Sequence, residues 1–125
     1  MPVIHHDALD DIETPNGNTV TALATPSRGA CEVSVIRQRQ APDGFNPPHT
    51  HDREEVIVLL GGTLEVFIDG STLRLYAGDT LVVPAHAEHQ LRNTGGGTAE
   101  WLLVAPSGYR FYHASGEEVS PEWAR

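Results

Sequence analysis

The side chains best suited to chemistry in this chain are His49, His51, Glu55 and His89. On an extended strand, residues two apart point to the same face. His49 and His51 therefore point together once that stretch is extended, and Glu55, four residues past His51, has the same parity. Glu54 has the opposite parity and points away from the histidines. A fourth donor has to come from another strand, and His89 opens one just after the break at Pro84. Three imidazoles and one carboxylate suit one divalent transition ion per chain: Fe, Mn, Ni, Cu, Co or Zn. Such a centre carries a net charge of about +1 and keeps roughly one or two positions open. An open position can take an anionic substrate oxygen, or a water whose pKa the ion lowers. Read alone, a His-x-His after a Pro-rich loop is also what a solvated loop carries, so the elements around it matter.

A chain of 125 residues has the length of one domain with one core, expected to run from 1 to 125. Twelve glycines and nine prolines favour many short elements over a few long helices. Strand-like runs recur at short intervals: Thr19–Ala24, Cys31–Gln40, Glu55–Leu60, Thr63–Ile68, Ser71–Tyr76, Thr80–Val83, His89–Asn93, Thr98–Val104 and Tyr109–His113. Asp69-Gly70 is a two-residue hairpin signal, and Gly95-Gly96-Gly97 marks another hairpin tip. In Cys31–Gln40, Val33 and Val35 fall on one side, Glu32 and Ser34 on the other. Eight or nine strands without helical period predict an all-β sandwich or barrel. Met1–Pro15 reads as an irregular lead-in.

A formal charge of −9 argues against nucleic acid and anionic lipid as partners. No apolar run approaches the length of a membrane span, and the acidic start is unlike a signal peptide, so a cytoplasmic protein is expected. The single Cys31 excludes an internal disulfide and reads as a buried thiol. There is no Gly-x-Ser-x-Gly, phosphate-binding loop or dinucleotide fingerprint.

At the metal-type residues the chain resembles the cupin superfamily. Gly44, His49-Thr50-His51, Glu55 and Gly62 follow the first cupin motif, with four rather than five residues after Gly44. Gly78, Pro84, His89 and Asn93 follow the second at the family spacing, with His86 in place of the inner glycine. His86 is then a turn residue, since histidine tolerates positive φ better than β-branched residues do. The resemblance implies a single-domain antiparallel jelly-roll β-barrel, with a barrel core at about 31–106, an arm at 1–18 and a tail at 107–125. It also implies His49, His51, Glu55 and His89 as metal ligands; in the enzyme reading Glu55 is expected to double as a catalytic base, leaving the metal to take a proton.

The function expected is that of a small metal-dependent enzyme, oxidoreductase-like. It would bind a small organic substrate through an enol, enolate or carboxylate oxygen, with dioxygenase chemistry first. Isomerase, lyase, decarboxylase or polyketide cyclase chemistry are alternatives, as is a non-catalytic barrel that binds a sugar or small molecule. A structural ion closing the barrel mouth is a further alternative. A homodimer is expected, because an exposed sheet edge gains from pairing. Asn93 is expected to hydrogen-bond at a strand end, and Ile57, Leu59, Leu91 and Phe67 to line or close the barrel. Arg37, Gln38, Arg39, Tyr76, Arg92 and Trp101 are the polar or aromatic strand residues available to a cavity; parity does not choose among them. His5, His6 and His113 lie outside the motifs, and Trp123 packs on its own barrel or on a partner.

Overall fold

The computed structural model describes residues 2–125. Among them are twelve strands: β1 (Ile12–Thr14), β2 (Asn18–Ala24), β3 (Val33–Gln40), β4 (His49–His51), β5 (Glu55–Gly61), β6 (Thr63–Ile68), β7 (Ser71–Tyr76), β8 (Thr80–Val83), β9 (His89–Arg92), β10 (Ala99–Pro106), β11 (Phe111–His113) and β12 (Glu118–Val119). They form two six-stranded sheets, ordered β1-β2-β3-β10-β5-β8 and β12-β11-β4-β9-β6-β7. Every pairing is antiparallel. The sheets face each other across one apolar core, the arrangement of a jelly roll.

Strict alternation sets what enters that core. In β10, Ala99, Trp101, Leu103 and Ala105 are buried, while Glu100, Leu102, Val104 and Pro106 face outward. In β5, Glu55, Ile57 and Leu59 are buried together. A carboxylate thus shares the inward row with two core aliphatics, because the period of two allows no other placement without flipping the whole strand.

The strand readings hold with shifted ends, and three short strands (β1, β4 and β12) add to them. The lead-in is not wholly irregular, since Ile12, Glu13 and Thr14 pair with Val20, Thr19 and Asn18. The tail adds β11 and β12 to the second sheet. In β3 the inward row is Ser34, Ile36, Gln38 and Gln40, and Val33 lies exposed on the outer face. Ser34 is accommodated by a 2.9 Å hydrogen bond between its hydroxyl and that of Ser107.

Two readings are corrected. Cys31 is exposed rather than buried, because β3 begins only at Val33 and the residues before it form a bend. Phe67 does not line the barrel; the inward row of β6 is Leu64 and Val66, and Phe67 shares the opposite face with Glu65. Asn93 is the expected clamp. Its Nδ2 donates to the carbonyls of Gln40 at 2.9 Å and Gly97 at 2.8 Å, and its Oδ1 accepts from the Gly95 N–H at 3.0 Å. His86 sits at φ 67, the left-handed turn conformation expected of it, and its N–H donates to the His51 carbonyl at 2.7 Å. That bond ties the turn before β9 to the end of β4, which brings His89 toward His51.

Candidate metal centre

Pro47-Pro48 hold the chain extended on entry to β4 and leave no N–H for competing turns. β4 is then pinned on both sides. His49 stands opposite His89 on β9 and opposite His113 on β11, and His51 stands opposite Phe111. The imidazole centroids of His49 and His89 are 4.2 Å apart, those of His49 and His51 4.8 Å, and those of His51 and His89 5.0 Å. One ring nitrogen from each of the three lies within 4.8 Å of the others. Glu55 reaches them from the facing sheet, with Oε2 2.8 Å from Nε2 of His51 and Oε1 3.8 Å from Nε2 of His89.

Hydrogen bonding fixes two of the three tautomers. Nδ1 of His49 lies 2.9 Å from the Pro47 carbonyl, and Nδ1 of His89 lies 2.8 Å from the Ala87 carbonyl. A carbonyl only accepts, so both Nδ1 atoms carry the proton and both Nε2 atoms keep a lone pair. Backbone carbonyls in this role orient metal-binding imidazoles and raise their basicity. The 2.8 Å approach of His51 to Glu55 lacks hydrogen-bond alignment, so it leaves both atoms unsatisfied. Nε2 of His51, Oε2 of Glu55 and Nε2 of His89 are buried without a partner and face one another; Nδ1 of His51, on the far side of its ring, is buried and unpartnered as well. Unsatisfied buried donors and acceptors are rare, and three around one point call for a shared partner. A divalent cation among them satisfies the lone pairs together, so the residues present fit a single transition ion.

Electrostatics prepares the same state. Burial, reinforced by the positive charges that His89 and His51 would carry, lowers the His49 pKa to about 4. Burial likewise lowers His89. For Glu55, burial alone would raise the pKa, but contact with His51 and the charges on the three histidines hold it below the usual carboxylate value. At neutral pH His49 and His89 are therefore neutral and the carboxylate is ionised, the forms that bind metal.

A cavity of about 270 Å³ opens beside the cluster. Glu55 and His49 line one part of it; Val20, Ile57, Leu91, Trp101, Leu103, Phe111 and Trp123 make its apolar walls. Of the six strand residues available to it, Gln38 and Trp101 line it. Arg37 and Arg39 face outward, where they pair with Glu100 at 3.5 Å and Asp11 at 2.7 Å. Tyr76 is exposed, and the Arg92 guanidinium lies 5.3 Å over the Phe45 ring. Ile57 and Leu91 line the cavity, while Leu59 lies in the core. Glu54 is exposed, and His5 and His6 lie exposed near the N-terminus.

Sequence reasoning missed the walls built by the two ends of the chain. Thr14, Pro15, Asn16 and Asn18 line the cavity from the arm, and His113, Val119, Pro121 and Trp123 from the tail. Trp123 packs edge-on against Phe111 at 5.5 Å, on its own barrel. Tyr109 is buried against His51 at 5.4 Å, and burial followed by the Glu55 charge pushes its phenol pKa well up. The parity of Phe111 and His113 was the available signal; their pairing with β4 was not readable.

The cupin domain sequence profile matches residues 36–105. The chain belongs to the cupin family. It is 39% identical over 104 residues to oxalate oxidase 1 of Hordeum vulgare, covering 74% of this chain and 51% of that protein. It is 31% identical over 98 residues to germin-like protein 1-2 of Oryza sativa subsp. japonica, covering 74% of this chain and 44% of that protein. This cupin thus spans about half the length of the curated relatives it matches. Its fold superposes on the polyketide cyclase RemF of Streptomyces resistomycificus with a TM-score of 0.79 at 22% identity, covering 98% of this chain and 88% of that one.

The buried histidines have a measurable consequence. Without metal, the unfolded chain takes up protons on its histidines near pH 6.5. Folded His49 resists protonation down to about 4, and His89 is lowered in the same direction. The unfolded state then binds more protons, so stability is full above about pH 6.5 and falls as the pH drops toward about 4. Glu55, lowered from 4.5, adds a loss at still lower pH. Denaturant midpoints of the metal-free protein are expected to fall between about pH 7 and about pH 4.5; a flat profile contradicts the buried, neutral imidazoles.

Proposed function

We propose that this cupin is a metal-dependent enzyme in which His49, His51, Glu55 and His89 hold one divalent transition ion. It acts on a small organic substrate bound through an enol, enolate or carboxylate oxygen, with dioxygenase chemistry as the first reading. The observation that carries this is the convergence of unsatisfied buried donors at the wall of an open cavity. A structural ion would need the donors but not the cavity beside them. The 39% identity to oxalate oxidase 1 supports an oxidative reaction.

When bound, the ion supplies Lewis acidity at the substrate oxygen and, if redox-active, electron transfer with dioxygen. The chain's own residues do the rest. The Pro47 and Ala87 carbonyls hold the His49 and His89 rings in the ligating tautomer. Glu55, ionised and close to two imidazoles, would help hold the ion and is the carboxylate placed to take the proton lost from an enol. The apolar walls exclude water and strengthen both interactions.

A second reading, metal-dependent isomerisation or cyclisation without oxygen, is favoured by the wall chemistry. The chain has no lysine, and none of its arginines lines the cavity, so a dianion such as oxalate finds no permanently charged cationic side chain there. Purified without chelator, the protein is expected to carry close to one transition ion per chain. His51→Ala and His89→Ala should each lose most of it while far-UV circular dichroism keeps its strand signature, since the core packs without the ion. Conversion of enols, diketones and small acids should vanish with the metal. Full metal content in both variants contradicts the ligand set. Oxygen uptake matched to substrate loss marks the dioxygenase reading, and conversion without uptake the second.

The outer face of the first sheet supports a homodimer. Val82, Val56, Val104 and Val35 stand in one rung across four strands, beside Val58 and Leu102 in the next. Val82 is 54% and nearby Leu60 49% exposed. An aliphatic patch of this kind, bordered by Thr80, Arg37 and Glu100, supports association, and a two-fold axis through it would bury the same residues on both copies. Sedimentation is expected to give twice the 13.5 kDa chain mass, and Val104→Arg to give the single mass. A monomeric native protein contradicts the pairing.

A further inference from the structure

We propose that Gln38 holds the far oxygen of an elongated, mostly apolar substrate whose near oxygen lies at the metal centre. This rests on the metal-dependent reading above and adds to it the shape and chemical class of the substrate.

Strand register sets the length. Val56, Val104 and Val35 share one rung across β5, β10 and β3. Glu55 lies one residue short of that rung, and Gln38 three residues beyond it, in the same inward direction. At 3.3 Å per residue the two are roughly 13 Å apart along the strands. Both line the same cavity, and the inward residues between them, Ile57, Leu103 and Trp101, line it as well. The cavity is therefore polar at its two ends and apolar along its floor. Its volume of about 270 Å³ compares with the roughly 150 Å³ that accepts one benzene ring, giving room for about two fused rings.

The Gln38 amide is free to act. Asn18 donates to the Pro15 and Phe45 carbonyls at 2.8 Å each, and Asn46 accepts from the Leu91 N–H at 2.7 Å, so these amides are engaged in holding the chain. Among the described residues the Gln38 side chain has no hydrogen-bond partner. Its cross-strand neighbour Trp101 also keeps its indole N–H unpartnered. With no arginine in the lining, the group recognised at this end is a neutral hydroxyl or carbonyl rather than a carboxylate.

The test uses the metal-loaded chain and two probes, 2-naphthol and 2,6-dihydroxynaphthalene, titrated by calorimetry into the native protein and Gln38→Leu. Elemental analysis and circular dichroism are recorded on the same samples. The native protein is expected to prefer the dihydroxy probe by about 3- to 10-fold, the range of one neutral hydrogen bond. Gln38→Leu should lose that preference, keep its affinity for 2-naphthol and retain full metal content. Equal binding of the two probes to the native protein, a preference that survives in Gln38→Leu, or no binding of either overturns the assignment. If metal fails to load, or 2-naphthol binds equally without it, while the Gln38-dependent preference persists, the metal reading fails and the far subsite stands.

Discussion

The structure depends on one carboxylate and three imidazoles set in the inward rows of an apolar barrel, with His51, Glu55 and His89 buried and His49 half-buried. An unpaired carboxylate among Ile57, Leu59 and Leu103 would cost several kcal/mol, and lone pairs without donors add to that. Partial relief comes from within: Glu55 approaches His51, and two histidines donate to backbone carbonyls. Nε2 of His51, Nε2 of His89 and Oε2 of Glu55 stay unsatisfied and face one place. The same arrangement that weakens the metal-free protein is one that a bound cation would relieve.

The barrel supplies the precision. β4 is three residues long, yet it is fixed by two prolines before it and by strands on both flanks, so the His49 and His51 rings have little freedom. Glu55 comes from the opposite sheet, and a one-residue slip of β5 would send it to solvent and bring Val56 inward. The turn at His86 and the hydrogen bond from its N–H to His51 keep the second motif in step with the first. Fold and site are thus set by the same registers.

Much of the cluster was legible because parity and chemistry agree there. His49, His51 and Glu55 share a parity and a ligand character, and the spacing of Gly78, Pro84, His89 and Asn93 located the remaining histidine. The cavity was harder to read because its walls break the usual pattern. In β3 the first half reverses the ordinary rule, with Val33 and Val35 outward and Ser34 inward, while the second half mixes Arg37 and Arg39 outward with the polar Gln38 inward. Arg37, Gln38 and Arg39 could not be sorted for that reason. The contributions of Thr14, His113 and Trp123 depend on how both chain ends fold back over the barrel, a long-range pairing that no local pattern encodes. Cys31 was misplaced by the uncertainty of a strand end, the least reliable feature of any pattern reading.

The central claim is that four named side chains share one ion. X-ray absorption at the metal edge of the loaded protein addresses it directly, because imidazole rings give multiple-scattering features that carboxylates and water lack. The expected result is three imidazole nitrogens and at least one oxygen at roughly 2.0–2.2 Å, with no sulfur. A first shell of oxygens alone, or a sulfur from Cys31, would contradict it.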